Sequence, residues 1–324
     1  MRLAIINDYQ ELALDTADWD SLPESVQVDV FHDQLTDKEE AAARLVPYDI
    51  IVTAREETTF DRTLVDALPN LKLLVFHGAR NAALDMVALD ERQVTVCGTG
   101  YGFTNGTVEL AWGLILGLVK HLPQEDAAIR SGAWGAGLPL GLTGKTLGLL
   151  GLGTLGSGVA RVGLALDMDV IAWSQNLTQA RCEEIGARLV TKDELFRNSD
   201  VLSIHVILSD RTRGLVGDSE IARIKPSAYL INTSRGAIVD EAALIDALES
   251  GRIAGAGLDV FDVEPLPSDH PFRRMPNVQL TSHIGGRTYE NLAARYADCL
   301  EDVLAWLDGS PVRVTRQDQA PILS

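Results

Sequence analysis

The chain has 324 residues, of which 46% are hydrophobic and 23% are charged, as in ordinary globular proteins. An average domain contains about 150 residues, so this length predicts two domains, each with its own core. Acidic residues outnumber basic residues by 46 to 28, and the formal net charge is −18. This charge repels nucleic acids and anionic membranes and excludes both as general partners, although a small anion can still bind at a local cationic site.

The spacing of the cysteines and the length of the apolar runs bear on the cellular compartment of the protein. Cys97, Cys182 and Cys299 are far apart and form no CxxC pair, which excludes a disulfide framework and a zinc knuckle, so each is expected to be a small buried residue. The apolar run at 3–6 is too short for a signal-peptide core, and the apolar helical run at 110–119 is too short to cross a bilayer. We therefore expect a cytoplasmic protein.

Short β-prone runs alternate with helical segments through the first hundred residues. Strands are predicted at 3–6, 26–31, 49–53, 71–76 and 94–97, with helices between them at positions such as 37–45 and 63–68. This alternation predicts a parallel sheet that is covered by helices on both faces. A long apolar helix at 107–121 and a glycine-rich loop at 131–144 follow.

A second alternating series begins at residue 146, which predicts an α/β fold with two doubly wound parallel-sheet domains. Its predicted strands are 146–150, 169–173, 189–190, 201–205, 228–232, 254–258 and 278–280. Its predicted helices are 154–166, 179–185, 192–198, 218–224, 241–250 and 288–307.

A GxGxxG motif lies between the first strand and the first helix of this second series. Gly151 permits a tight turn, Gly153 lets the backbone approach a pyrophosphate, and Gly156 allows the helix to pack closely on the strand. Thr154 and Leu155 begin the helix, whose free N–H groups and positive dipole suit phosphate. With a strand before it and a helix after it, the motif predicts dinucleotide binding.

The end of the next strand bears on the choice between NAD and NADP. A carboxylate about 20 residues after the glycines would bind the ribose 2′-hydroxyl of NAD, but Ser174, Gln175 and Asn176 occupy this position. These polar side chains could donate hydrogen bonds to a 2′-phosphate, yet the nearest cation is Arg181. Both NAD and NADP therefore remain open as the cofactor.

Three segments in the C-terminal half follow the phosphate loop in a characteristic order. They are INTSRGAIVDEAALIDALESGRIAGAGLDVF, DVEPLPSDHPF and LTSHIGG. From about residue 71 to about residue 287, the chain resembles the D-isomer-specific 2-hydroxyacid dehydrogenase family, which includes D-3-phosphoglycerate dehydrogenase and glyoxylate/hydroxypyruvate reductases. The resemblance implies an NAD(P)-dependent enzyme that acts on the CH–OH group of a small 2-hydroxy acid.

The resemblance also implies a domain organisation and an oligomer. A flavodoxin-like substrate domain would contain residues 1–98 and 291–324, and a Rossmann domain at 99–290 would bind NAD or NADP. The family commonly forms homodimers through the apolar helix at 107–121.

Carried over position by position, the family's catalytic residues correspond to Arg235, Glu264 and His283. The family usually has proline before this histidine, where the chain has Ser282. The family's aspartate near the nicotinamide amide corresponds to Asp259.

These residue types also suit the chemistry independently of the resemblance. A guanidinium can hold the carboxylate and ketone oxygens of a 2-oxo acid in one plane, which is the role expected of Arg235. Histidine is the side chain that most easily donates a proton at neutral pH, and a neighbouring carboxylate favours its charged form. We therefore expect His283 to act as the acid in reduction and as the base in oxidation, oriented by Glu264.

Several other residues are candidates for cofactor binding. Thr233 and Ser234 precede Arg235 and are expected on the cofactor side. His205 could line the cofactor cleft, although Ile207 replaces the proline that the family often has two residues later, and a satisfied core histidine is the alternative. Thr107 could face the nicotinamide or could only cap the long helix. No histidines show paired metal-ligand spacing, so no metal site is expected.

The predicted substrate loop follows the fourth strand. The family usually has GxGxDNID here, and its backbone N–H groups meet the substrate carboxylate. Gly78 and Asp85 match this pattern, Ala79 lies between, and Arg80 stands at the second glycine. Arg80 could bind a second anionic group of the substrate, with a solvated loop arginine as the alternative. Arg235 and this loop are therefore the predicted substrate-binding elements.

Two classes of function remain open at this point. The first is an oxidoreductase, resembling either phosphoglycerate dehydrogenase or glyoxylate/hydroxypyruvate reductase. The second is a dinucleotide-sensing interaction protein of the same fold, resembling the C-terminal-binding-protein corepressors. The intact set of Arg235, Glu264 and His283 favours the enzyme.

Overall fold

The computed structural model describes residues 1–315 except 34, 36, 55–56, 79 and 101–104. The described residues form two compact units, one of residues 1–100 with 288–315 and the other of residues 105–287. No helix in these ranges combines the length and the apolar character needed to span a membrane.

The first unit contains a five-stranded parallel sheet in the order β2-β1-β3-β4-β5, which is the flavodoxin-like order. Its inner strands β3 and β4 are buried on both faces, as expected of parallel strands rich in Val, Ile and Leu. The strands are β1 Arg2–Ile6, β2 Gln27–Val30, β3 Ile50–Thr53, β4 Leu73–Phe76 and β5 Thr95–Gly98.

Helices cover both faces of this sheet. Aspartates at positions 37, 61 and 85 begin three of the helices, each accepting a hydrogen bond from the backbone N–H three residues later. The last helix of the chain packs its apolar stripe, including Leu292 and Val303, into the core formed by Leu3 and Ile5. The helices are α1 Ala13–Thr16, α2 Lys38–Leu45, α3 Arg62–Asp66, α4 Met86–Glu91 and α12 Tyr289–Leu307, with a 3-10 turn at Trp19–Ser21.

The second unit contains a seven-stranded parallel sheet in the order β8-β7-β6-β9-β10-β11-β12. This is the Rossmann order with a seventh strand, and the direction of winding reverses between β6 and β9, where such sheets bind ligands. The strands are β6 Thr146–Leu150, β7 Asp169–Trp173, β8 Arg188–Leu189, β9 Val201–Ile204, β10 Tyr229–Asn232, β11 Gly255–Leu258 and β12 Val278–Leu280. The predicted fold class is thereby confirmed.

Seven helices are described in this unit, together with 3-10 turns at Gly236–Ile238 and Pro271–Arg274. They are α5 Asn105–Val119, α6 Leu122–Arg130, α7 Thr154–Ala165, α8 Gln179–Ile185, α9 Lys192–Asn198, α10 Asp218–Ile221 and α11 Glu241–Glu249. The three cysteines are free and buried, as expected.

The structure corrects three predicted helical features. Helix α6 was not predicted; it begins after His121, whose left-handed backbone (φ 54°) ends α5, and it has proline in its first turn. Helix α10 ends at Ile221, three residues earlier than expected. Helix α5 begins at Asn105, so Thr107 lies within its first turn and is not its cap.

Candidate active site

The glycines of the phosphate loop have the three environments that the motif predicts. Gly151 has φ +102°, and a Cβ there would lie 2.8 Å from the backbone of His205. A Cβ on Gly156 would lie 2.2 Å from the Gly151 carbonyl oxygen, so this helix residue must be small. A Cβ on Gly153 would meet nothing within 4 Å, which leaves space for a ligand beside the backbone.

The polar groups around this turn fit a bound dinucleotide. Gly153 is the N-cap of α7 and provides no side-chain cap, so the N–H groups at Thr154 and Leu155 suit a phosphate. The buried hydroxyl of Thr233, just after β10, has no hydrogen-bond partner, which fits a ligand polar group at the same sheet edge. When bound, NAD(P) would be held by these residues.

The end of β7 carries the predicted adenosine-side residues. Ser174 is half-buried, and Gln175 and Asn176 are exposed in the turn that follows. Arg181 does not extend toward this turn: its guanidinium donates to Ser157 Oγ at 2.9 Å and forms an ion pair with Glu184 at 2.7 Å. The structure therefore leaves the choice between NAD and NADP open. It also places the Arg181 guanidinium beside α7, a position that the sequence did not indicate.

Asn232, the last residue of β10, shapes the turn that carries Arg235. Its side-chain amide donates to the Arg235 carbonyl oxygen at 2.9 Å, and its side-chain oxygen accepts from the Ser234 N–H at 3.0 Å. Ser234 Oγ in turn donates to the Val206 carbonyl oxygen at 2.6 Å. Both hydrogen-bonding functions of Asn232 thus fix the backbone at Arg235, a role that sequence reasoning missed.

His283 and Glu264 form a hydrogen-bonded pair. The distance between His283 Nδ1 and Glu264 Oε2 is 2.7 Å, and Glu264 Oε1 accepts from the Phe261 N–H at 3.0 Å. With Nδ1 engaged, Nε2 is the ring nitrogen that can face a substrate. A Cβ on Gly236, next to Arg235, would lie 2.1 Å from the Phe261 carbonyl carbon, so the arginine turn and the glutamate segment are in close contact.

The charges around Glu264 keep it ionised. Burial acts to raise the pKa of its carboxyl group, but the hydrogen bond and charge of His283, the Phe261 N–H and the charge of Arg235 together hold this pKa below its usual value. Glu264 is therefore coupled electrostatically to both of the other predicted catalytic side chains, His283 and Arg235.

Asp259, directly after β11, holds the loop that carries His283. Its Oδ1 accepts from Thr281 Oγ1 at 2.6 Å and from the Ile284 N–H at 2.8 Å, and its Oδ2 accepts from the Gly285 N–H at 3.0 Å. These bonds fix the backbone on both sides of His283, which has a left-handed conformation (φ 55°). Contact of Asp259 with a nicotinamide amide remains a prediction.

Two further predicted cofactor-binding residues, His205 and Thr107, form hydrogen bonds with other residues of the protein. His205 Nε2 lies 2.8 Å from Ser203 Oγ on the same strand, and burial lowers the pKa of this imidazole to about 4, so the ring is neutral at pH 7. This bond favours the core-histidine alternative, while the backbone of His205 packs against Gly151. Thr107 Oγ1 donates to the Gly285 carbonyl oxygen at 2.9 Å and so links α5 to the His283 loop.

The predicted substrate loop lies at the carboxyl end of β4 in the first unit. The Gly78 N–H donates to Thr99 Oγ1 at 2.7 Å, and Gly78 has φ 106°, which favours glycine. Arg80 is exposed, and Ala79 is outside the described residues. Asp85, the last residue of the matching motif, caps α4.

The Rossmann sheet, the phosphate loop and the coupled acid–base pair define a dinucleotide-binding α/β protein, and comparisons with known proteins agree. Residues 112–285 match the family model described as "D-isomer specific 2-hydroxyacid dehydrogenase, NAD binding domain". The chain belongs to this family, which confirms the resemblance seen in the sequence.

Relatives include enzymes with two different names. The D-3-phosphoglycerate dehydrogenase of Archaeoglobus fulgidus is 35% identical over 85% of this chain and 53% of its own. The glyoxylate reductase of Thermococcus litoralis is 38% identical over 71% of this chain and 72% of its own. The chain spans about half the length of the D-3-phosphoglycerate dehydrogenase relatives, including that of Bacillus subtilis, of which it covers 55%.

A solved structure is similar over nearly the whole chain. It is a putative D-3-phosphoglycerate dehydrogenase oxidoreductase from Ralstonia solanacearum, with 31% identity and a TM-score of 0.92, covering 99% of this chain and 98% of that one.

Proposed function

We propose that the protein is an NAD(P)-dependent D-2-hydroxyacid dehydrogenase that interconverts a small 2-oxo acid and its 2-hydroxy acid. The observation that carries this proposal is the 2.7 Å contact between His283 Nδ1 and Glu264 Oε2, electrostatically coupled to Arg235 and in the same unit as the phosphate loop. We assign dinucleotide binding to residues 99–290 and substrate binding to residues 1–98 with 291–324.

When bound at the phosphate loop of Gly151, Gly153 and Gly156, the reduced dinucleotide would supply the hydride for reduction at C2 of the substrate. Arg235 binds the substrate carboxylate and the ketone oxygen with its planar guanidinium, which orients C2 and stabilises negative charge on the oxygen. His283 donates its Nε2 proton to that oxygen and becomes neutral. Glu264 holds the ring through Nδ1 and stabilises the imidazolium before transfer. In oxidation, neutral His283 accepts the hydroxyl proton.

A spectrophotometric screen tests the proposal. NADH and NADPH are each mixed with glyoxylate, hydroxypyruvate, pyruvate and phosphohydroxypyruvate, and oxidation of the dinucleotide is followed. Turnover of at least one pair is expected and would also decide the cofactor. Tight dinucleotide binding without turnover of any acid would instead support the dinucleotide-sensing alternative. The relatives include both a D-3-phosphoglycerate dehydrogenase and a glyoxylate reductase, so the screen contains substrates of the phosphoglycerate dehydrogenase type and of the glyoxylate/hydroxypyruvate reductase type.

We infer that Arg80 contributes to substrate choice, because it is an exposed cation two residues after Gly78 in the predicted substrate loop. The Arg80→Ala variant is expected to lower kcat/KM for a 2-oxo acid with a second anionic group about tenfold relative to a monoanionic 2-oxo acid, a modest factor because the site is exposed. The measurement compares phosphohydroxypyruvate with glyoxylate. Arg62→Ala, which removes an exposed arginine paired with Glu91, is the control. An unchanged ratio in Arg80→Ala would contradict this role.

We infer a homodimer in the cytoplasm. The predicted contact helix α5 is largely buried in its own unit, but the following segment exposes Trp134 and Leu138 by 94% and 93%. Exposed apolar clusters mark association surfaces. Light scattering is expected to give twice the 35.0 kDa chain mass. The Trp134→Ser/Leu138→Ser variant should approach the monomer mass, whereas Leu14→Ser, at another exposed leucine, should not. The buried free cysteines support a reducing compartment.

A further inference from the structure

The carboxylate of Glu241 joins the two ends of the segment that carries Glu264. Glu241 is the first residue of α11, and its Oε1 lies 3.0 Å from His270 Nε2. Its Oε2 accepts a longer hydrogen bond of 3.4 Å from the Asp262 N–H. Asp262 and His270 lie on either side of Glu264, so one side chain contacts the segment before and after the proposed catalytic carboxylate.

The orientation of His270 is fixed by its other contacts. Its Nδ1 accepts a hydrogen bond from the Phe272 N–H at 3.3 Å, so Nε2 carries the proton and donates it to Glu241. The ring also packs on the buried ring of Phe272, with 4.8 Å between centroids. The side chains of His270 and Glu241 are only 12% and 24% exposed, which limits screening of the bond by water.

The other described side-chain bonds of this segment mostly shape the segment itself. Arg273 donates to the Pro267 and Leu266 carbonyl oxygens at 2.8 and 2.6 Å, and Arg274 donates to the Asp269 carbonyl oxygen at 2.8 Å. These bonds keep residues 266–274 compact but do not attach them to α11. The bond from His270 to Glu241 makes the polar attachment, beside the burial of Phe272 in the core cluster that also contains Leu244 and Leu248 of α11.

We propose that Glu241 and His270 are positioning residues that hold Glu264 at hydrogen-bonding distance from His283 during the proposed reduction. The proposal rests on the proposed function. Without the bond, the segment can shift away from α11, and the contact between Glu264 Oε2 and His283 Nδ1 lengthens. Neither Glu241 nor His270 is assigned any contact with substrate or dinucleotide.

Glu241→Gln alone cannot test the bond between Glu241 and His270, because it also changes the charge next to Asp262. Burial, followed by the charges of Glu241 and Asp240, raises the pKa of the Asp262 carboxyl group, while Arg213 acts in the opposite direction. Glu241→Gln therefore removes a repulsion on Asp262 as well as the charged acceptor for His270. His270→Phe keeps a ring against Phe272, cannot donate to Glu241 and leaves all these charges in place. If the bond is the cause, the double variant should lose no more activity than the worse single variant.

The kinetic test compares these variants with the wild type. Glu241→Gln and His270→Phe are each expected to lower kcat about tenfold, since small misplacements of catalytic groups are costly, with the KM for dinucleotide unchanged. The pKa of the Glu264 carboxyl is lowered in the native structure, so activity is present above this pKa and is lost as the pH falls through it. Loss of the His283 contact would raise this pKa, and the acidic limb of the kcat/KM profile should therefore move to higher pH.

Asp200→Asn is the matched control. Asp200 is a part-buried carboxylate of the same unit that accepts from the Thr146 N–H and from Lys225 Nζ, each at 2.8 Å. It precedes β9 and so lies at the amino edge of the sheet, opposite the proposed site. This variant should lose stability without moving the pH profile. An unchanged acidic limb and kcat in both Glu241→Gln and His270→Phe would overturn the proposal.

A second measurement separates failure of this proposal from failure of the proposed function. Hydrogen–deuterium exchange of peptides covering residues 262–270 is expected to be faster in Glu241→Gln and His270→Phe than in the wild type and Asp200→Asn. If the wild type reduces no 2-oxo acid, the proposed function fails, yet the exchange result still tests the attachment. If the wild type turns over and exchange is unchanged in both variants, the positioning role fails alone.

Discussion

The His283→Asn variant is expected to reduce 2-oxo acids about 10²- to 10⁴-fold more slowly than the wild type, which is the usual range for loss of a general acid. We propose the imidazole as the group that protonates the substrate oxygen, because its Nδ1 is bonded to Glu264 Oε2 and this leaves Nε2 for the substrate. The measurement is kcat at saturating oxo acid and dinucleotide. The dissociation constant of the dinucleotide, measured by fluorescence, should change little because His283 follows β12 and is not part of the phosphate loop.

Glu264→Gln is the informative companion of His283→Asn. A glutamine can still accept from the Phe261 N–H, but it no longer presents a charge to His283, so a smaller loss of kcat is expected. Because the two side chains act as a unit, the double variant should be no slower than His283→Asn alone. A His283→Asn enzyme that keeps kcat within a factor of about three would remove the general acid from the mechanism.

Local sequence patterns were sufficient to predict the phosphate loop. The requirement for glycine arises within a few residues: the positive φ of Gly151 and the contact of Gly156 with the Gly151 carbonyl are properties of one strand–turn–helix unit. The strands were also predictable, since buried parallel strands form continuous apolar runs, and no predicted bound differs from the observed one by more than two residues.

Hydrogen bonds between distant residues and the first residues of helices were harder to predict from the sequence. Asp259 bonds to Gly285 across 26 residues, and Glu241 bonds to His270 across 29 residues. No local periodicity encodes such a pair, because each partner alone is compatible with an ordinary loop. Threonine often caps a helix, which makes Thr107 a candidate cap in the sequence. In the structure the helix begins two residues earlier, and Thr107 Oγ1 donates to the Gly285 carbonyl oxygen instead.

The site follows a common plan in which the last residue of a strand, or the residue just after it, fixes the loop bearing a functional side chain. Asn232 fixes the turn of Arg235, and Asp259 fixes the loop of His283. The strands that carry these two residues, β10 and β11, are hydrogen-bonded neighbours in the sheet, and the loop of His283 leaves the next strand, β12. Rigid neighbouring strands thereby set the spacing between the proposed clamp and the proposed acid.

Replacement of Arg235 by lysine is expected to lower kcat/KM about 10- to 100-fold even though the positive charge is retained. The ammonium group is a point charge and cannot form two parallel hydrogen bonds to a carboxylate and a ketone oxygen, and one lost bond to a charged group is worth about 1.5–3 kcal/mol. Arg235→Gln, which also removes the charge, should lose more. Steady-state kinetics with the preferred 2-oxo acid, and binding of oxalate to the enzyme–dinucleotide complex, are the measurements.

A structural effect of these variants can be separated from loss of the clamp. Arg188→Lys changes another arginine of the same unit, which is paired with Asp169 at 3.1 Å near the amino edge of the sheet, and it should leave kcat/KM unchanged. In an Arg235→Ala variant, added guanidinium ion should restore part of the activity, because the backbone of the turn remains bonded to Asn232. An Arg235→Lys enzyme with wild-type kcat/KM would show that a single positive charge is enough and that planar recognition by the guanidinium is not required.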